Sequence, residues 1–282
     1  MANARVIKKR IKSISSTRKI TRTMELVSTA KAKRASDRIR AAKPYAVTLQ
    51  DLIANAMGSS AGKLTHPLCE AREVKNAVLI AITANRGLCG GYNGNVFRLF
   101  LDTRRKLLAE GKQVQVVMIG KKGIGYSDFQ KIPLTARVTD IDDKPRFEQA
   151  VRILAPWIES FLSGKVDQVL VASMHYESAS RQTPKLEQIL PVKLAAQEGK
   201  QARDYLWDQK PEALLEQLVA QAVPTQFLRI LMEAAACEQI ARRIAMKNAT
   251  ENAKDLVKSL TGIYNRARQT QITQQIAEIV GG

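Results

Sequence analysis

The feature that most constrains the fold is the distribution of glycine and proline, because these two residues interrupt helices. Residues 1–57 contain no glycine and one proline, Pro44, and residues 225–261 contain neither. The other prolines and nearly all the glycines lie between residues 58 and 224. This pattern predicts a long helix at each end of the chain, with a compact domain between them.

Apolar residues at alternating spacings of four and three predict that the two long helices form a coiled coil. In the N-terminal helix this stripe begins at Ile7, Ile11 and Ile14 and meets a polar residue at Arg18. We expect the stripe to shift there to another face, which carries Ile20, Met24 and Val27. A second run follows through Ala32, Ala35, Ile39, Ala42, Ala46, Leu49, Ile53 and Ala56.

The C-terminal helix has a similar pattern. Its main run comprises Leu256, Leu260, Ile263, Ala267, Thr270, Gln274 and Ala277, and a second stripe comprises Ile272, Ile276 and Ile279. Each helix would be about 80 Å long at 1.5 Å per residue. Helices at opposite ends of one chain can pair in antiparallel fashion if the intervening segment folds as an insertion.

The middle of the chain alternates between strand and helix patterns. We predict strands over residues 77–83, 114–119, 169–175 and 189–194, and helices over residues 95–110 and 147–162. This alternation predicts a Rossmann-like α/β domain. The predicted fold class is therefore α/β plus a long antiparallel coiled coil, with the α/β domain inserted between the paired terminal helices. The predicted domains are 1–57 (N-terminal helix), 58–210 (Rossmann-like domain) and 211–282 (C-terminal helices that complete the coiled coil).

Positive charge is concentrated at the N-terminus. The formal net charge is +19, and residues 1–43 contain 14 lysines and arginines but only two acidic residues, Glu25 and Asp37. Such a helix needs an acidic partner or full solvation. Nucleic acid, an anionic membrane surface and an acidic protein cavity are all open as partners. Tyr45 is the sole aromatic residue among residues 1–57, which disfavours stacking on nucleic-acid bases.

No motif in the sequence predicts catalysis or nucleotide binding. The glycine-rich loop at residues 85–94 follows a predicted strand but does not match the GxGxxG spacing. Residues 120–127 lack the Gly-Lys-Ser/Thr ending of a Walker loop, so we interpret them as a basic turn. The acidic residues Asp140, Asp142 and Asp143 are interpreted as a solvated loop before a helix.

The cysteines, the histidines and the hydropathy argue against a disulfide-rich protein, a metal site and a membrane-spanning protein. The widely spaced cysteines, Cys69, Cys89 and Cys237, predict reduced thiols, and two isolated histidines argue against a metal cluster. No stretch reaches the roughly 20 apolar residues of a membrane span, and the N-terminus lacks the apolar core of a signal peptide. We therefore expect a soluble or peripherally attached protein on the cytoplasmic side of a membrane.

Several segments, in order along essentially the whole chain, together resemble the gamma subunits of F-type ATP synthases. The segments are IKSISSTRKITRTMELVSTAKAKRASDR (11–38), RGLCGGYN (86–93), MIGKKG (118–123), EQIARRIAMKNATENA (238–253), YNRARQTQIT (264–273) and EIVGG (278–282). The chain departs from the family pattern at Asn85, where the family has Asp, and at Gln275, where it has Glu.

The resemblance implies a non-catalytic central stalk that binds no cofactor or metal and is present once per complex. The terminal helices would turn inside a ring of three alpha and three beta subunits, at the cytoplasmic face of a bacterial inner membrane. The α/β domain would face the epsilon subunit and the membrane ring of c subunits. Nucleic acid is not an implied partner, and membrane association would occur only through the complex.

Particular residues carry the implied contacts. The alpha/beta-ring contacts implied by the resemblance are Met24, Arg242, Arg268, Gln269 and Thr273, and the contacts of the foot with the c ring are Tyr205, Trp207 and Asp208. Ion flow would turn the stalk, and its asymmetric surface would change the nucleotide affinity of each beta subunit in turn.

Two other classes of protein remain open at this point. A nucleic-acid-binding coiled-coil protein would be retained on DNA or RNA in a salt-dependent manner. A nucleotide-using α/β enzyme, which the glycine-rich loop alone supports, would show nucleotide binding by the middle domain.

Overall fold

The computed structural model describes residues 4–59, 66–192 and 211–282, and contacts divide the chain into two compact units. One unit is formed by Met1–Ala30 together with Ile240–Gly282, and the other by Lys31–Gln239. The three domains predicted from the sequence are bounded at 57/58 and 210/211, near the ends of the long helices, and remain a prediction.

Both chain ends form long helices, as the sequence predicts. Helix α1 spans Ala4–Ser59, and the C-terminal helix, α5, spans Pro211–Val280. Helix α5 begins 14 residues before position 225, where the glycine- and proline-free segment starts, because the helix continues through Pro224. Pro44 likewise lies inside α1 without ending it. An internal proline removes one backbone hydrogen bond, a loss that a long, packed helix can tolerate.

Within the unit of residues 31–239, the two helices run antiparallel. Lys31 and Gln239 both contact Asp143, and further along α1 the Tyr45 hydroxyl donates to Gln221 Oε1 over 3.3 Å. Partner numbers on α5 therefore fall as residue numbers on α1 rise. This confirms the predicted antiparallel pairing of the terminal helices.

The seam of α1 does not shift at Arg18, so that expectation is wrong. The 4-3 spacing continues without interruption, and every residue on it is buried or partly buried: Ile7, Ile11, Ile14, Arg18, Thr21, Glu25, Ser28, Ala32, Ala35, Ile39, Ala42, Ala46, Leu49 and Ile53. By contrast, Ile20 is 60% exposed and Val27 49% exposed. The expectation was based on apolar side chains alone. The protected face of the helix instead continues through four polar residues, which are Arg18, Thr21, Glu25 and Ser28.

Hydrogen bonds explain how polar residues fit into the seam. In the unit that contains residues 4–30 and 240–282, the hydroxyl oxygens of Thr21 and Thr250 lie 2.8 Å apart. Thr21 also donates to the carbonyl oxygen of Arg18 over 3.1 Å, and Glu25 pairs with Arg22 at 2.9 Å. Because the buried polar groups have partners, they do not carry the cost of unsatisfied burial.

The run expected for α5 is confirmed at Leu260 and Ala267, which are partly buried, and is wrong at its other positions. Leu256 is 53% exposed and Ile263 44% exposed. The protected positions of this part of the helix are instead Ala253, Val257, Leu260, Tyr264 and Ala267. From residue 268 onward every residue of α5 is exposed, including those of the expected second stripe, Ile272, Ile276 and Ile279.

The middle of the chain forms a five-stranded sheet. Its strands are β1 (Asn76–Ile82), β2 (Gln113–Ile119), β3 (Ala136–Val138), β4 (Gln168–Tyr176) and β5 (Gln182–Leu190). Their order is β3-β2-β1-β4-β5, and β5 alone among these strands is antiparallel to its neighbour. The helices of this domain are α2 (Tyr92–Ala109), α3 (Lys121–Phe129) and α4 (Phe147–Leu162). The predicted α/β fold is confirmed.

Two elements of the sheet domain were missed and one was misplaced. The strand expected at residues 189–194 overlaps only the last two residues of β5, which is an edge strand with Pro184 and exposed polar residues. The three-residue strand β3 is too short to show a pattern. Residues 120–127, interpreted as a basic turn, instead begin α3, and Gly120 has a φ of 98°. A Cβ on Gly120 would lie 2.2 Å from the Thr83 carbonyl oxygen.

One hydrophobic core joins the sheet to the long helices in the unit of residues 31–239. It contains Leu49 and Ile53 of α1, the apolar face of α4, the centre of the sheet, and α5 from Leu215 to Ala234. Phe161 of α4 and Phe227 of α5 are both fully buried in it. The α/β domain and this part of the helices therefore fold as a single body.

The seam of α1 can be tested by comparing two isoleucines of the same helix. Ile53 is 2% exposed and Ile20 is 60% exposed. We expect Ile53→Ala to lower the free energy of unfolding by about 2–5 kcal/mol, because it leaves a cavity. Ile20→Ala should change it by no more than about 0.5 kcal/mol. Urea denaturation of the purified chain measures both values, and similar losses at the two positions would contradict the assigned seam.

Candidate interaction surfaces

The glycine-rich loop after β1 is held by its own polar side chains. The Asn85 amide donates to the carbonyl oxygens of Thr139 and Ile141, over 3.1 and 2.6 Å, and its oxygen accepts from the Lys121 backbone N–H over 3.0 Å. An aspartate at position 85 could not donate to those two carbonyl groups. Asn85 therefore ties this loop to the segment after β3 through hydrogen bonds that only an amide provides.

The N-terminus of α3 does not offer free N–H groups to a phosphate. A phosphate bound at a helix start would use the first backbone N–H groups of that helix. Those of Lys121 and Lys122 are bonded to Asn85 Oδ1 and to the Ala84 carbonyl oxygen. The next, on Gly123, donates to Thr83 Oγ1 over 2.9 Å. These bonds disfavour phosphate binding at the start of α3.

The acidic loop before α4 is exposed at Asp140 and Asp142, as expected, but the expectation of a solvated side chain is wrong for Asp143. Asp142 accepts from the Lys144 backbone N–H within the loop, over 2.7 Å. Asp140 pairs with Arg152 of α4.

Asp143 contacts both long helices: its two carboxylate oxygens accept from Lys31 Nζ over 2.5 Å and from Gln239 Nε2 over 2.6 Å.

A second charged cluster joins α5 to the sheet. Three side chains come together here: His175 on β4, Glu187 on β5 and Glu233 on α5. One imidazole nitrogen and one carboxylate oxygen from each glutamate lie within 4.8 Å of one another. Sequence reasoning missed this group because its members come from three separate elements. His175 Nδ1 lies 2.5 Å from Glu233 Oε2. Glu187 Oε1 is buried without a hydrogen-bond partner among the described residues.

The charges of this cluster favour an ion-pair network over a metal site. Arg229 donates to Glu233 Oε1 over 2.6 Å and also pairs with Glu187, while Lys185 lies 3.9 Å from Glu187. Two cations thus balance two carboxylates, and a divalent ion would add uncompensated positive charge. Burial disfavours the charged form of Arg229, but attraction to Glu233 and Glu187 outweighs burial and raises its pKa.

Cys237 lies on the same helix, one turn from Glu233. Burial, reinforced by the negative charge of Glu233, raises the pKa of the Cys237 thiol to about 12. All three cysteines are free thiols, as the sequence predicts. Such a thiol is a poor nucleophile, so its role is packing.

The end of α5 presents apolar side chains to solvent. The exposed fractions are 46% for Ile272, 56% for Ile276, 79% for Ile279 and 81% for Val280. Between residues 269 and 282 the sequence has one charged side chain, Glu278. A run of exposed apolar residues without a neighbour in the chain marks an interaction surface.

A second exposed apolar surface lies on the first half of α1. Val6 and Leu26 are 61% and 56% exposed, in addition to Ile20 and Val27. Ile20 and Val27 were expected on the seam, but all four residues face outward among lysines and arginines. The surface is therefore both apolar and strongly basic, which suits an acidic protein partner with apolar contacts.

The residues implied as contacts by the family resemblance differ in accessibility. Arg268, Gln269 and Thr273 are exposed on the unpaired end of α5, and Met24 is partly buried on α1. Arg242 is 6% exposed, so its guanidinium packs within its own chain. The three foot residues, Tyr205, Trp207 and Asp208, lie outside the described residues.

No helix of the described residues is long and apolar enough to cross a membrane.

Sequence comparison gives a match along the whole chain. A family model described as ATP synthase matches residues 3–282. The ATP synthase gamma chain of Leptospira biflexa is 42% identical to this chain, and that of Moorella thermoacetica is 39% identical. Each alignment covers 100% of this chain and 98% of the relative.

Solved structures show the same fold. The rotor of the Euglena gracilis mitochondrial ATP synthase matches with a TM-score of 0.70 at 18% identity, covering 95% of this chain and 98% of that chain. A chain from the central stalk and c-ring structure of the Tetrahymena thermophila mitochondrial ATP synthase matches with a TM-score of 0.61 at 22% identity, covering 82% and 99%.

The raised pKa of Cys237 predicts a pH dependence of stability. The folded state keeps the thiol protonated while the unfolded thiol ionises near pH 9.0, so this contribution is present below pH 9 and lost as pH rises towards about 12. Between pH 8 and 10 we expect it to cost about 1.4 kcal/mol.

Cys237→Ala isolates this effect from other groups that titrate at alkaline pH. The variant should be less stable at pH 8 because of the small cavity, but its further loss between pH 8 and 10 should be about 1.4 kcal/mol smaller than that of the unaltered chain. Urea denaturation at the two pH values measures the difference. Equal losses would show that the folded thiol ionises as readily as the unfolded one.

Proposed function

This chain belongs to the ATP synthase gamma-chain family, and from that premise we propose that its paired terminal helices turn as a shaft within a ring of alpha and beta subunits. It is a non-catalytic subunit of the central stalk of an F-type ATP synthase, which couples rotation of the c ring to ATP synthesis or hydrolysis. Catalysis takes place on the beta subunits, so the chain itself needs no active site.

The observation that carries the proposal is the exposed apolar end of α5. From residue 268 to the end of the chain all side chains face solvent, and the apolar ones would be unfavourable there in an isolated protein. An enclosing ring would cover this helix on all sides. With one charged residue over its last 14 positions, the helix end could turn inside such a ring without strong local attachment.

The basic, apolar surface of α1 supports the same partner. Positive charge unrelieved by acidic residues destabilises a helix unless a partner neutralises it. Acidic loops of the beta subunits supply that charge, and the outward-facing Ile20, Leu26 and Val27 supply apolar contact. Nucleic acid would satisfy the charge but not the apolar side chains.

Rotation couples to nucleotide affinity through differential contacts. A shaft whose faces differ presents a different surface to each beta subunit at any moment. Each contact favours one conformation of that beta subunit over another, and the shift in population cannot exceed the difference in contact energy. By reciprocity, nucleotide binding to a beta subunit exerts torque on the shaft.

Individual residues have distinct parts in this proposal. Arg268, Gln269 and Thr273 contact the loops of the beta subunits, with the Arg268 guanidinium donating to acidic or carbonyl groups. Met24 lies near the beta segment that receives torque. Arg242, which is buried, acts by holding the two helices together rather than by touching the ring.

The other end of the molecule faces the membrane sector. Tyr205, Trp207 and Asp208 form the foot that contacts the c ring, and the epsilon subunit binds beside the α/β domain. One copy per complex follows from the single shaft position in a ring. Attachment to the cytoplasmic face of the bacterial inner membrane is then indirect, through the c ring.

Affinity purification from the native cell tests the proposal. We expect the chain to be recovered with ATP synthase alpha, beta and epsilon subunits, and the ATPase activity of the preparation to depend on alpha and beta. Recovery in a nucleic-acid-bound complex without these subunits would refute the assignment. Binding of nucleotide by the chain alone would favour the enzyme alternative instead.

The predicted ring contact can be tested at Arg268. We expect Arg268→Ala to lower the ATP hydrolysis rate of the reconstituted complex about tenfold, since a charge-assisted hydrogen bond is worth about 1.5–3 kcal/mol. Arg105→Ala is the matched control, because Arg105 is an exposed arginine of α2 with 79% of its side chain accessible. Equal rates for the two variants would remove Arg268 from the torque-transmitting contacts.

A further inference from the structure

The loop between β3 and α4 holds one carboxylate against both long helices. Asp143 Oδ2 accepts from Lys31 Nζ of α1 over 2.5 Å, and Asp143 Oδ1 accepts from Gln239 Nε2 of α5 over 2.6 Å. Arg38, also on α1, donates to the Asp143 carbonyl oxygen over 3.3 Å. We call these four residues, Lys31, Arg38, Asp143 and Gln239, the Asp143 joint.

The Asp143 joint differs from an ordinary surface ion pair. Surface pairs contribute little because both side chains lose freedom and water screens them. Here the Lys31 and Asp143 side chains are 37% and 36% exposed, but Gln239 is 3% exposed, and the carboxylate takes a donor from each of two separate helices. Bonds of this kind fix geometry, because moving either helix relative to the loop breaks at least one of them.

The joint attaches the α/β domain to α1 at a second place, far along the helix from the hydrophobic core. The hydrophobic core that binds the α/β domain to α1 includes Leu49 and Ile53. Lys31 lies 18 positions before Leu49, which is about 27 Å along the helix axis at 1.5 Å per residue. A domain attached at one place can pivot, whereas attachments separated along the helix resist pivoting.

We propose that the Asp143 joint transmits torque between the α/β domain and the two shaft helices. This inference rests on the proposed function, in which the α/β domain is driven by the c ring and the helices act on the beta subunits. Torque must then cross from the domain into both helices. Asp143 is a positioning residue for this coupling and takes no part in the chemistry.

The joint predicts different effects on torsional stiffness and on ATP hydrolysis. ATP hydrolysis needs the helices inside the alpha/beta ring, whereas the stiffness between the domain and the helices depends on the bonds that hold the domain to them. A weakened joint should therefore let the domain lag further behind the helices under load and leave the unloaded hydrolysis rate unchanged. A residue that only stabilised the fold would lower the hydrolysis rate, through loss of intact complex, and would leave the stiffness of the remaining complexes unaltered.

The test compares two neighbouring aspartates in the assembled complex. Asp143→Ala removes both carboxylate bonds of the joint, while the control Asp142→Asn alters a side chain whose acceptor contact lies within its own loop. With the alpha/beta ring fixed to a surface and a bead on the α/β domain, the width of the angular distribution reports torsional stiffness. We expect Asp143→Ala to broaden the distribution and Asp142→Asn to leave it unchanged, with the same unloaded ATP hydrolysis rate in both variants.

An angular distribution as narrow in Asp143→Ala as in the unaltered chain would overturn the inference. If that variant fails to assemble, Lys31→Met removes only the bond between α1 and the Asp143 carboxylate. Unchanged torsional stiffness in Lys31→Met would likewise overturn the inference. A chain that does not associate with alpha and beta subunits would refute the proposed function. A complex that assembles and hydrolyses ATP with normal stiffness would refute only the joint.

Discussion

Each of the two units depends on a narrow seam between helices that come from opposite ends of the chain. A helix with this many basic residues and few internal ion pairs is not stable by itself in water. It persists because its 4-3 positions, from Ile7 to Ile53, are covered. Thr21, a polar position on that seam, is satisfied by hydrogen bonds with the Arg18 carbonyl oxygen and the Thr250 hydroxyl, so the helix keeps its register there. Polar seam positions of this kind specify register at some cost in stability.

The seam also determines which surfaces are left for partners. Since one face of α1 is used for pairing, the apolar residues on another face are displayed outward among basic side chains. Since the covered positions of α5 end at Ala267, the last turns of that helix are exposed on every side. These surfaces have the chemistry expected for a shaft that another protein encloses. The α/β domain, by contrast, buries its apolar residues in a core shared with both helices.

Sequence patterns predicted the elements more reliably than their contacts. The scarcity of glycine and proline near the two chain termini identified both long helices. The first and last residues of α4 also agree with the prediction. The seam was misassigned because hydrophobicity alone cannot reveal a polar residue at a core position, such as Thr21. The edge strand β5 was misplaced because its exposed face carries no apolar signal. The Asp143 and Glu233 clusters could not be predicted, since each brings together residues from distant elements. The family resemblance supplied the proposed ring contacts, and burial separates Arg242 from the exposed Arg268 among them.

In the assembled complex, the outward stripe of α1 and the end of α5 should both be enclosed by other subunits. The most direct measurement compares thiol alkylation at Ile20→Cys and Ile276→Cys in the purified chain and in the assembled complex, with each site read by peptide mass spectrometry. Both positions are more than half exposed, so both should react readily in the free chain. The account predicts strong protection at both sites in the complex, with Phe129→Cys, at 80% exposure on α3, as the reference site. Equal reactivity of Ile276→Cys in the free and assembled chain would contradict it.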